Sequence, residues 1–262
     1  MTTASYAVAD SATMLRRNLR HALRYPSVTI GTVAVPVLIL LLFVGLFGHT
    51  LGAGLARASG GISYIDYVAP GILAMTVASG AGSTAVSVCT DMTGGIMNRF
   101  RTMAISRSSV LIGQVVGGFI QTMISVALVI GVALLMGFRP TAGPLEWVAA
   151  IGFLAMVAVA ITWLAVAIGI VAKSPVNASN TPLLIQFLPF ISSAFVPTAS
   201  MPAGVRLFAE YQPFTPVIKT LRGLLMGAPI GNGAMIAVAW CAGVTAAGYL
   251  WARVAFDRAG GR

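Results

Sequence analysis

Apolar residues run in long blocks along this chain, and short polar stretches between the blocks carry nearly all of its charge. Six blocks, 28–48, 68–90, 110–138, 147–172, 181–198 and 233–254, lie near or above the roughly 20 residues that a helix needs to cross a bilayer core. At 1.5 Å per residue the first would rise roughly 31 Å. This pattern predicts an all-α integral membrane protein, one transmembrane domain over 1–262 with six spans. Pro36 and Pro189 predict kinks in the first and fifth spans. Ala74, Ala78, Gly82 and Ala85 in the second favour close helix packing.

Three stretches depart from the pattern. Over 10–25, Ala12, Leu15, Leu19, Ala22 and Leu23 recur at helical spacing, and Arg16, Arg17, Arg20 and Arg24 fill the other face. With Asp10-Ser11 as a cap and Pro26 as a stop, this reads as an amphipathic helix lying on the membrane. It serves either as a connection to a cytoplasmic partner or as an anchor on anionic lipid, and the two are compatible. Over 91–107, Asp91, Arg99, Arg101 and Arg107 break the hydrophobicity, and a short helix across the cytoplasmic face is expected. Over 202–227, prolines cut an apolar stretch into pieces too short to span. Pro202 suits a helix start, a second piece is expected over 217–226, and Gly227 suits a helix stop. Two readings stand: a re-entrant helical hairpin before the last span, or an external loop with two surface helices.

Charge then sets orientation. The chain is 58% hydrophobic and 8% charged, where a soluble domain carries about 25% charged residues. Its mean hydropathy is +0.92. The net charge of +10 comes from short loops rather than from a nucleic-acid surface. With both termini cytoplasmic, 11 of the 16 Lys and Arg fall inside and five, Arg57, Arg139, Arg206, Lys219 and Arg222, fall outside. Gln114, Gln121 and Ser125 lie near one face of the third span beside Gly113-x-x-x-Gly117. Such residues either join helices by hydrogen bonds or face a substrate.

Several chemistries find no support. Cys89 and Cys241 sit in apolar blocks, and neither they nor His21 and His49 have metal or disulfide spacing. Ala56-Arg57-Ala58 resembles a cleavage site, but the apolar run before it is too long for a secretory signal. The only lysines, Lys173 and Lys219, follow Ala172 and Ile218, so neither completes a phosphate-binding Gly-Lys pair. Any ATPase must be another chain. The six acidic residues occupy tails, loops or span ends, which argues against a proton relay. Gly61-Ile62-Ser63 with His49 has no third orienting group for nucleophilic catalysis, so no enzyme is expected.

The late part of the chain carries a family pattern. Phe195-Val196-Pro197, Met201-Pro202, Gln212-Pro213-Phe214-Thr215-Pro216 and Arg222-x-Leu224-Leu225-x-Gly227 resemble the late segment of ABC type-2 exporter permeases, above all the daunorubicin-resistance branch. Arg99-Phe100-Arg101 and Ile105-Ser106-Arg107 resemble that family's cytoplasmic loop, with Ala104 where proline is usual. The resemblance implies a bacterial cytoplasmic-membrane subunit of an ATP-driven exporter. It also implies two such subunits, identical or homologous, and separate ATPase subunits that bind ATP and magnesium. This chain itself needs no cofactor. The loop 91–107 would be the coupling helix, with Asp91, Arg99, Arg101 and Arg107 facing the ATPase. The pathway would run past Gln114, Gln121, Ser125, Phe195, Gln212 and Arg222. Amphipathic drugs or lipids are the expected cargo. A polysaccharide or glycolipid exporter of the same family, or an ATP-independent transporter or channel, would be the alternatives.

Overall fold

Long hydrophobic runs become single helices, one of them with Pro70 inside it, but the run divided by Pro182 and Pro189 does not. The computed structural model describes residues 26–46, 48, 63–94 and 107–259, and the regular structure among them is helical. Helix α1 (Pro26–Leu41) passes into a π-helical turn, Leu42–Leu46. Then come α2 (Tyr64–Thr93), α3 (Arg107–Leu135) and α4 (Pro144–Val171). Two short helices, α5 (Pro175–Asn180) and α6 (Leu183–Phe187), run into a 3₁₀ turn, Leu188–Ile191. A second 3₁₀ turn (Thr198–Ser200), α7 (Ala203–Tyr211), α8 (Phe214–Met226) and α9 (Gly233–Ala259) complete the chain.

Among the described residues four stretches are long and apolar enough to cross a membrane: Tyr64–Thr93, Leu111–Leu135, Pro144–Val171 and Gly233–Arg258. They fall on the expected second, third, fourth and sixth spans. The first expected span coincides with α1 and its π turn, of which Val33–Leu46 is a shorter apolar helix. The expected fifth span, 181–198, is not one helix. Pro182 ends α5, Pro189 tightens the next piece into a 3₁₀ turn, and the chain leaves helical geometry at Ser192. The expected amphipathic helix 10–25 and most of the loop 91–107, Arg99 and Arg101 included, lie outside the described residues.

Helix α2 is the hub. In its most apolar window 78% of residues are buried inside the protein, against 17% for α9, which leaves the outward face of α9 for lipid. Small residues permit the hub. A methyl group on Gly169 of α4 would lie 2.6 Å from the Ala85 carbonyl, so these two helices touch backbone to backbone. The broken fifth segment runs antiparallel along α2. Ala172, just before it, accepts a hydrogen bond from Cys89 Sγ at 3.5 Å. Gln186 faces Gly82, and Ala194 faces Gly71. From Cys89 to Gly71 is 18 residues of α2, roughly 27 Å along the helix axis. The segment thus covers about a bilayer core's depth although no piece of it is a span.

Helix α8 begins at Phe214, one turn before the expected 217. Pro216 falls in its first turn, where the missing N–H has no intrahelical partner to serve. It stops at Gly227, whose φ of 68° is the left-handed cap glycine tolerates. Phe214, Val217, Ile218, Leu221 and Leu225 bury one face of it among α2, α4 and α9. The stretch is therefore packed into one end of the helix bundle, here termed the hairpin end. Helix α7 is more exposed, and Arg206 pairs with Glu210 on its surface at 2.9 Å.

Candidate functional site

The hairpin end is built around an arginine. The buried stripe of α8 places Arg222 against the first turns of α2. Its Nε and Nη2 donate to the Tyr67 carbonyl at 3.3 and 3.0 Å, and Nη2 also donates to the Ser193 carbonyl at 2.8 Å. The guanidinium carbon stands 3.8 Å from the centre of the Tyr67 ring, a cation–π contact. Pro70, three residues on, lacks the N–H that would meet the Asp66 carbonyl. Burial pushes the Arg222 pKa below its ordinary value, with the neighbouring Tyr67 opposing the shift. An arginine remains charged all the same. One cation thus ties α8, α2 and the end of the broken segment together.

Gln212 completes the clamp. Its Nε2 donates to the Ile191 carbonyl at 3.4 Å and to Thr215 Oγ1 at 3.3 Å. Thr215 Oγ1 in turn accepts from the Ser193 N–H at 3.4 Å, and Ser192 Oγ donates back to the Pro189 carbonyl. These bonds serve the backbone where the fifth segment stops being helical, a service that a bilayer cannot provide. Ser193 Oγ and the Tyr64 hydroxyl are buried and have no hydrogen-bond partner among the described residues. Beside it Phe195 stacks on Phe43 at 4.3 Å between ring centres and on Phe190 at 5.5 Å.

Of the residues expected along a pathway, Phe195, Gln212 and Arg222 therefore come together here. Gln114, Gln121 and Ser125 do not join them. Gln114 is buried towards the opposite end of the bundle, where its Nε2 donates to Asp91 Oδ2 at 2.6 Å. Ser125 donates to the Gln121 carbonyl of its own helix at 3.1 Å. Asp91, expected to face an ATPase, thus binds α2 to α3 at the end of the loop 91–107. Arg107 opens α3. Sequence reasoning missed Tyr67, Ser193, Thr215 and Phe43. Thr215 was within reach, since it stands inside the quoted Gln-Pro-Phe-Thr-Pro run.

The Gln114–Asp91 bond carries a prediction. Hydrogen bonds to charged groups contribute about 1.5–3 kcal/mol. Gln114→Leu should lower the stability of the detergent-solubilised protein by about that amount, while Asp91→Asn, which still accepts from Gln114, should lose less. Equal thermal midpoints for Gln114→Leu and the parent protein would contradict it.

The arrangement offers no reacting pair. Among the described residues no three His, Cys, Asp or Glu side chains come together to hold a metal ion. It offers a stacked aromatic cluster and a clamped, discontinuous backbone at one end of the bundle, and a buried amide–carboxylate bond at the other.

Comparison with known proteins agrees with a transport role. The family model described as ABC-2 type transporter matches residues 11–226. The chain is 28% identical over 222 residues to the daunorubicin resistance ABC transporter permease protein DrrB1 of Streptomyces coeruleorubidus, covering 84% of this chain and 76% of that one. It is 23% identical over 237 residues to the probable doxorubicin resistance ABC transporter permease protein DrrC of Mycobacterium tuberculosis, covering 90% of this chain and 84% of the relative. It is 25% identical over 218 residues to the putative transport permease ycf38 of Porphyra purpurea, covering 82% and 73%.

Proposed function

The chain belongs to the ABC-2 type transporter family, and from that premise we propose that this membrane permease subunit exports amphipathic drugs or lipids, energised by separate ATPase chains. The observation that carries the reading is the pair of drug-resistance permeases, each aligned over more than four-fifths of this chain. In this reading two permease subunits, the same or homologous, form one pathway in the bacterial cytoplasmic membrane. ATP and magnesium bind only in the partner subunits. The loop 91–107 is the coupling helix, and α3, joined to it through Asp91 and Gln114, carries its motion into the bundle.

Six crossings, with the broken segment as the fifth, put both termini and the loop 91–107 in the cytoplasm and the hairpin outside. The excess of Lys and Arg in the cytoplasmic stretches of this arrangement supports it. The hairpin then caps the pathway on the outward side, re-entrant among the outer ends of α2, α4 and α9, and Phe43, Phe190 and Phe195 provide an apolar exit surface.

The test is co-expression with an ATPase encoded beside this gene, followed by copurification and substrate-stimulated ATP hydrolysis in lipid. Exposed ion pairs are each worth less than about 1 kcal/mol, so charge reversal is more telling than deletion. Arg99→Glu and Arg101→Glu should each lower stimulated hydrolysis, and to different degrees because residues two apart point about 200° from each other on a helix. Both variants should still insert. Transport that proceeds unchanged without any copurifying ATPase would mean an ATP-independent transporter.

A further inference from the structure

A cleft of about 480 Å³ opens at the end of the bundle away from the hairpin, between the last turn of α4, α5 and the second half of α9. Its walls are apolar: Ile168, Val171 and Trp251. Its rim is polar: Lys173, Asn177 and Asn180. Among the described residues, the Lys173 ammonium and the two side-chain amides make no hydrogen bond or ion pair within the protein. Among the described residues no acidic side chain lines the cleft. Its depth relative to the bilayer follows from two neighbours. Ala172 lies against Cys89, four residues before the end of α2, and Tyr249 packs edge-on against Trp163 at 5.1 Å, with Trp251 just beyond on α9. Aromatic rings of this kind gather where a bilayer meets water.

We propose that this cleft holds one phospholipid with an anionic headgroup. The acyl chain lies along Val171 and Trp251, and the phosphate meets Lys173, Asn177 and Asn180. An apolar wall beneath a rim of unengaged N–H donors with one cation matches a phosphodiester on a hydrocarbon tail better than it matches a soluble anion, which has no use for the walls, or a neutral hydrocarbon, which has no use for the rim. The leaflet is the cytoplasmic one in the orientation proposed above. The inference rests on reading the chain as a membrane subunit, but not on its ATPase or cargo.

The experiment places the protein, with Trp147, Trp163 and Trp240 replaced by Phe, in nanodiscs that contain brominated phosphatidylglycerol or brominated phosphatidylcholine. Bromine quenches the remaining Trp251. A Lys or Arg near an anionic surface gains about 1 kcal/mol, so quenching by phosphatidylglycerol should reach half its maximum at about one-fifth the mole fraction that phosphatidylcholine requires. Lys173→Gln should bring the two lipids together. Equal quenching by both lipids before that substitution, or a preference that survives it, would overturn the proposal. Quenching relieved by millimolar inorganic phosphate would also overturn it, since that reveals a free-anion site. Should the tryptophan replacements unfold the protein, native mass spectrometry of the parent chain and Lys173→Gln after partial delipidation reads the same preference as retained phosphatidylglycerol. Both readouts need no nucleotide, so failure to copurify with an ATPase leaves them standing.

Discussion

Arg222→Met should remove most of the folded protein recovered in mild detergent. The substitution keeps an apolar stem but deserts the carbonyls of Tyr67 and Ser193 in a buried place. Each unsatisfied group costs about 1–3 kcal/mol, and relief of the buried charge offsets only part of that. The expected net loss, about 2–4 kcal/mol, is a large share of the stability of an ordinary domain. Arg222→Lys should recover less than half of the lost material, because one ammonium cannot span two carbonyls and lie flat on a ring at once. Fluorescence-detected size exclusion, followed by a thermal ramp, measures both. A parent-like profile for Arg222→Met would show that the clamp does not hold the hairpin end together.

Gly71→Ala should destabilise, against the sign that helix propensity alone gives. Alanine is better than glycine inside a helix by about 1 kcal/mol. At Gly71, though, the new methyl would sit 2.6 Å from Ala194 Cβ and 2.8 Å from Ala194 Cα, and backbone cannot rotate away. Overpacking of this kind costs about 1–3 kcal/mol. Gly152, on α4 with nothing within 4 Å, is the control: Gly152→Ala should be neutral or slightly stabilising. Valine at position 71 should lose the protein altogether. Adding Ala194→Gly to Gly71→Ala should restore only part of the loss, since it removes the Cβ at 2.6 Å and leaves the Ala194 Cα at 2.8 Å. Stability equal to or above the parent for Gly71→Ala would mean that the broken segment does not press on α2.

What was legible in the sequence was whatever a local pattern decides. Long apolar runs gave α2, α3, α4 and α9 with errors of a turn or so at their ends, and those errors have reasons. Helix α2 begins at Tyr64 rather than 68 because Asp66, which reads as a loop residue, accepts a hydrogen bond from the Arg139 N–H at 2.9 Å and can stay in the helix. The two helices of the hairpin were visible in the spacing of their prolines. The fifth segment was not, because hydropathy counts apolar residues and does not see that Pro182 and Pro189 divide them. Its route along α2 depends on Gly71 and Gly82 meeting residues more than a hundred positions away, which no periodicity records. Arg222 counts in the sequence as an external charge, and the family resemblance puts it on a pathway. That it grips two carbonyls could be known only once the fold had brought Tyr67 and Ser193 to it.

The broken fifth segment also bears on the order of assembly at the ribosome. A backbone interrupted at Thr181–Pro182 and again beyond Ile191 cannot rest in lipid alone. One set of its contacts, at Phe43, Gly71 and Gly82, is synthesised before it. A second set, at Gln212, Thr215 and Arg222, is synthesised after it, the last of them 29 residues beyond Ser193. The segment therefore emerges into a bilayer that holds only its first set of partners. In the six-crossing reading proposed above, the segment settles only when α8 has been translated and packs onto α2, so the final step in building this domain is taken by a part that lies outside its long helices.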